Sequence, residues 1–160
     1  MTYKHRQNGG MLLEAIVVVT IVAILAAVAV PNLNDMLLRK DMDYARSTLE
    51  KSLHLARQMA LSENTVVDVQ LQNNRLQITP RNGNENRVID FPQRVQLLSV
   101  TDSDTINFLF RPVGTAGNRQ GDVVIDFDND LSIFVRPKDE SSPGLQQQIT
   151  VGNYGNIASN

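Results

Sequence analysis

The stretch RQNGGMLLEAIVVVTIVAILAAVAVP, Arg6 to Pro31, decides how this chain is read. Between Met11 and Val30 only Glu14 and Thr20 are polar. At about 1.5 Å per helical residue the run covers roughly 30 Å, the thickness of a bilayer's hydrocarbon core. Lys4, His5 and Arg6 precede it. Basic residues favour the cytoplasmic side, so the N-terminus is expected inside and the rest of the chain outside.

Three simpler assignments compete. A cleavable secretory signal has the same basic start and apolar middle, and ILAAVAVP offers small residues before Pro31. A plain signal anchor fits the hydropathy equally well. A buried core helix fits least, because the run is apolar on every face. Glu14 separates these readings. A carboxylate in a spanning helix costs about 2.5–3.5 kcal/mol at the centre and less near an end, and a plain anchor gains nothing from it. No cation of this chain is placed to meet it inside the membrane. Its partner is expected on another chain, or is a newly made N-terminal amine.

The stretch GGMLLEAIVVVTIVAILAAVAVP, residues 9–31, resembles the N-terminal signature of type IV pilins and pseudopilins. That resemblance implies a short basic leader ending in Gly, cut on the cytoplasmic side by a prepilin peptidase. It also implies methylation of the new N-terminus and retention of the helix. The family places Glu fifth after the cut and often Pro twenty-second. A cut after Gly9 meets both positions with Glu14 and Pro31, whereas a cut after Gly10 misses both by one. Gly9 is therefore read as the last leader residue, with Gly10 as the alternative. Gly10 is then the methylated mature terminus, and Glu14 and Pro31 are assembly positions. Two departures stand out: Gly10 occupies the place of the usual Phe, and Met11 that of the more usual Thr. In a filament of packed helices, the Glu14 carboxylate would meet the terminal amine of a neighbour only when the subunit is in register.

The totals agree with a single modest body behind this helix. The chain has 160 residues and no cysteine, which removes disulfides and thiolate chemistry. Its formal charge is -2; losing Lys4 and Arg6 with a leader takes the 15 basic residues to 13 against 17 acidic ones. A mildly acidic body argues against broad binding to a phosphate backbone. Two histidines, one of them His5, leave little for His-based catalysis.

Pro31 cannot donate an i→i−4 bond, so a kink or loosening is expected there. Beyond it Leu38, Met42, Ala45, Leu49, Leu53, Ala56 and Ala60 recur by three or four, one face of an amphipathic helix to about Glu63 with Asn64 near its stop. The two halves together would run about 80 Å. After Asn64 the period changes to two. TVVDVQL and RLQIT flank QNN as a hairpin, and DVVIDF and LSIFVRP flank DND as a second. RPVGTAGNRQG reads as a Gly-rich loop and KDESSPG as a surface loop. Six to eight short strands are expected. The resulting fold is α+β, a long N-terminal helix packed on a C-terminal antiparallel β-rich domain. The expected parts are a leader 1–9, a membrane and assembly helix 10–30, an amphipathic continuation 31–64 and a β domain 65–160.

The C-terminal half, FLFRPVGTAGNRQGDVVIDF and then QQITVGNYGNI, resembles the GspH/FimT minor pseudopilins. In that group a Phe-x-x-x-Gly element leads into strands ending on a Val-x-x-x-Gly turn. Phe110 with Gly114 and Val151 with Gly155 match it.

Other clusters are better read as structure. Asp126, Asp128 and Asp130 alternate, as Ca²⁺ ligands in a loop do, but the EF-hand continuation is missing, so a polar turn is the simpler account and no cofactor is expected. GTAGNRQG lacks the Lys of a phosphate loop. His54 has no second His or Cys as a metal partner, and no nucleophile elbow supports a triad. FimT-like proteins include DNA-uptake receptors with an Arg-rich C-terminal motif; ITVGNYGNIASN has neither Lys nor Arg. Arg111, Arg119, Arg136 and Lys138 are the candidate cations if folding gathers them, with Tyr154 a stacking ring. Nucleic acid is not the expected partner. The expected partners are other pilins, the prepilin peptidase and the membrane. The expected role is a non-enzymatic minor subunit of a type IV pilus or type II secretion pseudopilus, held first in the cytoplasmic membrane. A DNA-uptake pilin and a single-pass anchored binding domain are the alternatives.

Mass spectrometry of the protein from cells with an active prepilin peptidase should find Gly10 as first residue. A chain retaining its first nine residues would support the plain anchor.

Overall fold

The structure, a computed structural model, describes residues 8–72, 74–83, 85–99, 105–120, 123–126, 130–138 and 145–159. The chain divides into two compact units, Met1–Leu37 and Leu38–Asn160. Helix α1, Asn8–Ser62, runs through both. In the first unit the segment Gly10–Ala27 is long and apolar enough to cross a membrane, and none of it is buried within the protein. Its one hydroxyl is satisfied locally: Thr20 Oγ1 donates to the Ile16 carbonyl at 2.7 Å. Bonding back within the helix lowers the cost of placing a hydroxyl in hydrocarbon. The helix continues across Pro31, which removes one bond of the ladder without ending the helix.

In the second unit α1 turns one stripe inward. Met42, Ala45, Leu49, Leu53, Ala56, Met59 and Ala60 are buried, and Leu38 at the start of the stripe is half-buried. Fully covering Leu49 and Leu53 contributes about 2 kcal/mol apiece. Ser52 is the one polar residue in the stripe's path, and its hydroxyl donates to the Thr48 carbonyl at 2.6 Å. The helix stops on a left-handed residue. Asn64 has φ 48°, and Thr65 N–H reaches back to the Ala60 carbonyl at 3.2 Å. This is the Schellman arrangement, with Asn at the position usually held by Gly.

Ten strands follow among the described residues: β1 Val67–Gln72, β2 Arg75–Pro80, β3 Arg87–Asp90, β4 Val95–Ser99, β5 Thr105–Phe110, β6 Ala116–Gln120, β7 Val123–Asp126, β8 Leu131–Pro137, β9 Gln147–Val151 and β10 Ile157–Ser159. They form a six-stranded sheet, β3-β2-β1-β5-β6-β7, and a four-stranded sheet, β10-β9-β8-β4. Every pairing is antiparallel. One core cluster joins the helix stripe to both sheets, through Val69, Leu76 and Phe108 of the first and Leu97, Ile133 and Ile149 of the second. Phe108 and Phe110 meet edge to face inside it, ring centres 5.6 Å apart. The architecture is the expected α+β one.

Two expectations are corrected. The strand count exceeds the expected six to eight, because β6 lies within the expected Gly-rich loop and β10 adds a short strand near the C-terminus. Gly and Asn hide the alternation in AGNRQ, yet β6 pairs antiparallel with β7 in register Gln120↔Val123. β7 and β8 do not pair as the expected second hairpin: β7 belongs to the six-stranded sheet and β8 to the four-stranded one.

Asn74 ties the two sheets. It sits at the β1–β2 turn with φ 59°, a region Asn tolerates better than most residues. Its side-chain Oδ1 accepts from Leu97 N–H at 3.2 Å. Its Nδ2 donates to the Pro92 carbonyl at 3.1 Å and also to the Val95 carbonyl. Bonding to the C=O of Val95 and the N–H of Leu97 is what a peptide of a neighbouring strand would do. The amide therefore blunts the edge of β4 that β8 leaves open. Asn74→Gly keeps the backbone conformation and loses these bonds, so it should cost about 1–3 kcal/mol. Asn74→Ala should cost about 1 kcal/mol more, for a Cβ in the left-handed region. Thermal unfolding of the detergent-solubilised protein by circular dichroism measures both.

Candidate assembly surfaces

The first surface is the apolar segment itself. Met11, Leu12, Leu13, Ile16 and Val19 are each at least 62% exposed. Glu14 is exposed in their midst, and it has no hydrogen bond or ion pair among the described residues. Gly9 and Gly10 lie within α1, so the proposed cut falls inside the helix's first turn. A Cβ at Gly10 would meet nothing within 4 Å, so the chain itself has room there for a larger side chain. Leu33, Met36 and Leu37 continue the exposed apolar character beyond the apolar segment. The leader's Lys4, His5 and Arg6 lie outside the described residues, and Pro31 is placed in the helix without a described side chain.

The second surface is built by two loops of the same design. In the β5–β6 connection, Arg111 N–H donates to the Thr115 carbonyl at 2.9 Å and Gly114 N–H to the Arg111 carbonyl at 2.8 Å. In the β9–β10 connection, Gly152 N–H donates to Asn156 at 2.8 Å and Gly155 N–H to Gly152 at 2.8 Å. Each is a tight turn closed by a left-handed glycine, Gly114 at φ 80° and Gly155 at φ 70°. The two sequence elements Phe110-x-x-x-Gly114 and Val151-x-x-x-Gly155 therefore have one physical meaning. A fully buried strand-end residue anchors each loop, and glycine supplies the positive φ four positions later.

The two loops also meet. Ala116 N–H donates to the Asn153 carbonyl at 2.9 Å. Arg57 of α1 clasps both, its Nε donating to the Gly114 carbonyl at 3.1 Å and its Nη2 to the Tyr154 carbonyl at 3.2 Å. A charged donor on a carbonyl is among the stronger hydrogen bonds. At the loop tips Val113 and Tyr154 are each 75% exposed, held out by a rigid base. Nothing in the sequence singles out Arg57, which looks like one more charge on an amphipathic helix.

The candidate cations do not form one patch. Arg136 and Lys138 share a face at the end of β8, and Arg94, which the sequence reading missed, joins them through the bond from Lys138 N–H to the Arg94 carbonyl at 2.8 Å. The Arg136 guanidinium lies 5.3 Å from the Phe134 ring centre and donates to Gln146 Oε1 at 3.0 Å. Arg111 sits instead beside the β5–β6 loop. That loop meets the β9–β10 turn, and β9 places Val151 opposite Leu131, the far end of β8 from Lys138. Arg119 lies in β6 and Asp126 ends β7, both without described side chains; Asp128 lies outside the described residues, and Asp130 is exposed. His54 is exposed on α1. The outer face of the six-stranded sheet carries a concavity of about 700 Å³ lined by Gln70, Gln72, Gln77 and the Arg75–Asp90 ion pair. Asp90 holds the Arg75 guanidinium above its ordinary pKa.

Gly114 and Gly155 should respond differently to alanine. A Cβ at Gly114 meets Leu61 Cδ2 at 3.1 Å, the end of a side chain that can give way. A Cβ at Gly155 falls 1.9 Å from the Gly114 carbonyl oxygen, which is backbone. Gly114→Ala should cost about 1 kcal/mol for its left-handed φ. Gly155→Ala should exceed that by at least about 2 kcal/mol, because the loops must separate. Thermal unfolding of the two variants side by side measures the difference.

No protein-family model matches the chain, and no curated protein sequence matches it. Solved structures do. The type IV minor pilin FimU of Pseudomonas aeruginosa superposes with a TM-score of 0.55 in one crystal form, at 14% identity over 74% of this chain and 91% of that one. In a second crystal form it gives 0.57, at 14% identity over 76% and 90%. The minor pseudopilin EpsH from the type II secretion system of Vibrio cholerae gives 0.55, at 12% identity over 75% and 96%. At such identities the likeness is one of fold: this chain is built on the pilin-like plan, an apolar N-terminal helix running into an α+β domain with antiparallel sheets.

Proposed function

We propose that this protein is a minor pilin or pseudopilin, a structural subunit that helps initiate or cap a type IV pilus or a type II secretion pseudopilus. One observation carries the reading. Glu14 is an exposed carboxylate without a partner among the described residues, on an unburied apolar helix, in a protein with the pilin-like fold. A lone carboxylate in lipid is unfavourable and calls for a counter-charge. On this reading a prepilin peptidase cuts after Gly9, Gly10 is methylated, and the amine of an assembled neighbour meets Glu14. The chain waits in the cytoplasmic membrane with its β domain outside. Its exposed apolar helix then exchanges lipid for the helices of other subunits. Its work is mechanical and involves no reaction of its own.

Replacing Glu14 by Leu removes the charge while raising apolar character. The variant should insert into the membrane at least as well as the natural protein. Its recovery with sheared or co-purified pilins should fall about tenfold or more, since each 1.4 kcal/mol of lost pairing is a factor of ten. Undiminished co-recovery of Glu14→Leu with other pilins would refute the proposed role of the carboxylate.

A further inference from the structure

We propose that the outer face of the six-stranded sheet binds a neutral, extended oligosaccharide of the β-1,4-linked class. The inference goes beyond assembly and does not depend on Glu14. Strand register places the side chains. Val69, Leu71, Leu76, Ile78, Ile106 and Phe108 face the core, so the residues that alternate with them face outward. Two outward rows cross four strands. One is Thr105, Gln72, Arg75 and Asp90; the other is Asn107, Gln70, Gln77 and Val88. Gln70, Gln72, Arg75, Gln77 and Asp90 of these rows line the concavity of about 700 Å³, and Gln93 beyond β3 adds a fourth glutamine. That volume lies in the range of clefts that hold small ligands.

Folding does not account for four glutamines on one face. Strands favour branched and aromatic residues, and carboxylates serve solubility better than amides. Gln70, Gln72 and Gln93 are exposed and make no hydrogen bond among the described residues. Each offers a carbonyl oxygen and two N–H donors from one planar group. Adjacent sugar hydroxyls match that set, because every hydroxyl both donates and accepts. The Arg75–Asp90 pair extends it. Arg75 Nε bonds Asp90 Oδ1 at 2.6 Å, and the guanidinium keeps further N–H donors and the carboxylate a second oxygen. Val88, 53% exposed and opposite Gln77, supplies an apolar spot for the C–H face of a pyranose ring.

Charge and shape select the occupant. The lining carries one cation and one anion, bonded to each other, so the concavity is neutral. A nucleic acid or acidic polymer needs a basic surface. The segments 73, 84 and 100–104, which adjoin these strands in sequence and lie outside the described residues, contain neither Lys nor Arg. A peptide is held by sheet edges and apolar pockets, whereas this site is a polar face. Its hydrogen-bonding side chains recur from β1 to β3 at the interstrand spacing of about 4.8 Å, close to the length of one pyranose unit. A β-1,4 linkage runs successive rings as a straight, flat ribbon, which stays in step with the strands. An α-1,4 linkage coils the chain away from them.

Full-length protein in lauryldimethylamine oxide, a detergent without a sugar headgroup, is titrated by calorimetry with cellopentaose, chitopentaose, maltopentaose and a heparin pentasaccharide. At least one of the two β-1,4 pentasaccharides should bind with a submillimolar Kd, tenfold or more tighter than maltopentaose. Gln70→Ala and Gln72→Ala should each weaken that binding about fivefold, the loss of roughly one hydrogen bond, with thermal unfolding unchanged. Absence of binding by both β-1,4 sugars would overturn the proposal. So would equal affinity for maltopentaose, tighter binding of the heparin fragment, or an affinity that both variants leave unchanged.

Discussion

The fold depends on a single apolar stripe that two sheets share. Met42, Leu49 and Leu53 join one core cluster with residues of both sheets, and Ala45, Ala56 and Ala60 are fully buried beside them. Large residues alone would hold the sheets apart, and small ones alone would leave voids. Packing at crystal-like density requires this alternation. The same helix is apolar all round before the domain begins, so one element changes its solvent along its length.

Once the stripe is buried, the ends and edges of the sheets need polar closure. Asn74 closes the open edge of β4 with a side-chain amide in place of a strand. Arg57 closes the far end by gathering two loop carbonyls that would otherwise compete for water. Each device joins parts of the chain distant in sequence, and each relies on a residue with special backbone geometry beside it. Asn74 itself is left-handed, and Gly114 and Gly155 flank the guanidinium.

The functional features divide along the same helix. Where the chain is apolar, the one charge is the exposed Glu14 carboxylate, and on the proposed reading its counter-charge is the terminal amine of a neighbouring subunit. Where the domain begins, the helix carries charges of both signs, with Asp35, Arg39, Lys40 and Asp43 all exposed.

Much of this was legible in the residues. The apolar run, the placement of Glu14 and the three-four spacing from Leu38 to Ala60 are local patterns, set by helix geometry and by what lipid or a core tolerates. Alternation exposed most strands, and the α+β plan followed. What failed were the places where local pattern is silent. AGNRQ lacks branched residues and owes its strand character to pairing with β7, and the placing of β7 and β8 in different sheets is set by long-range pairing. Arg57, Asn74 and Arg94 look ordinary in sequence. Their roles come from carbonyls, edges and neighbours that only the tertiary structure brings within hydrogen-bond reach, because a polar side chain's partner is set by long-range topology and not by its own spacing.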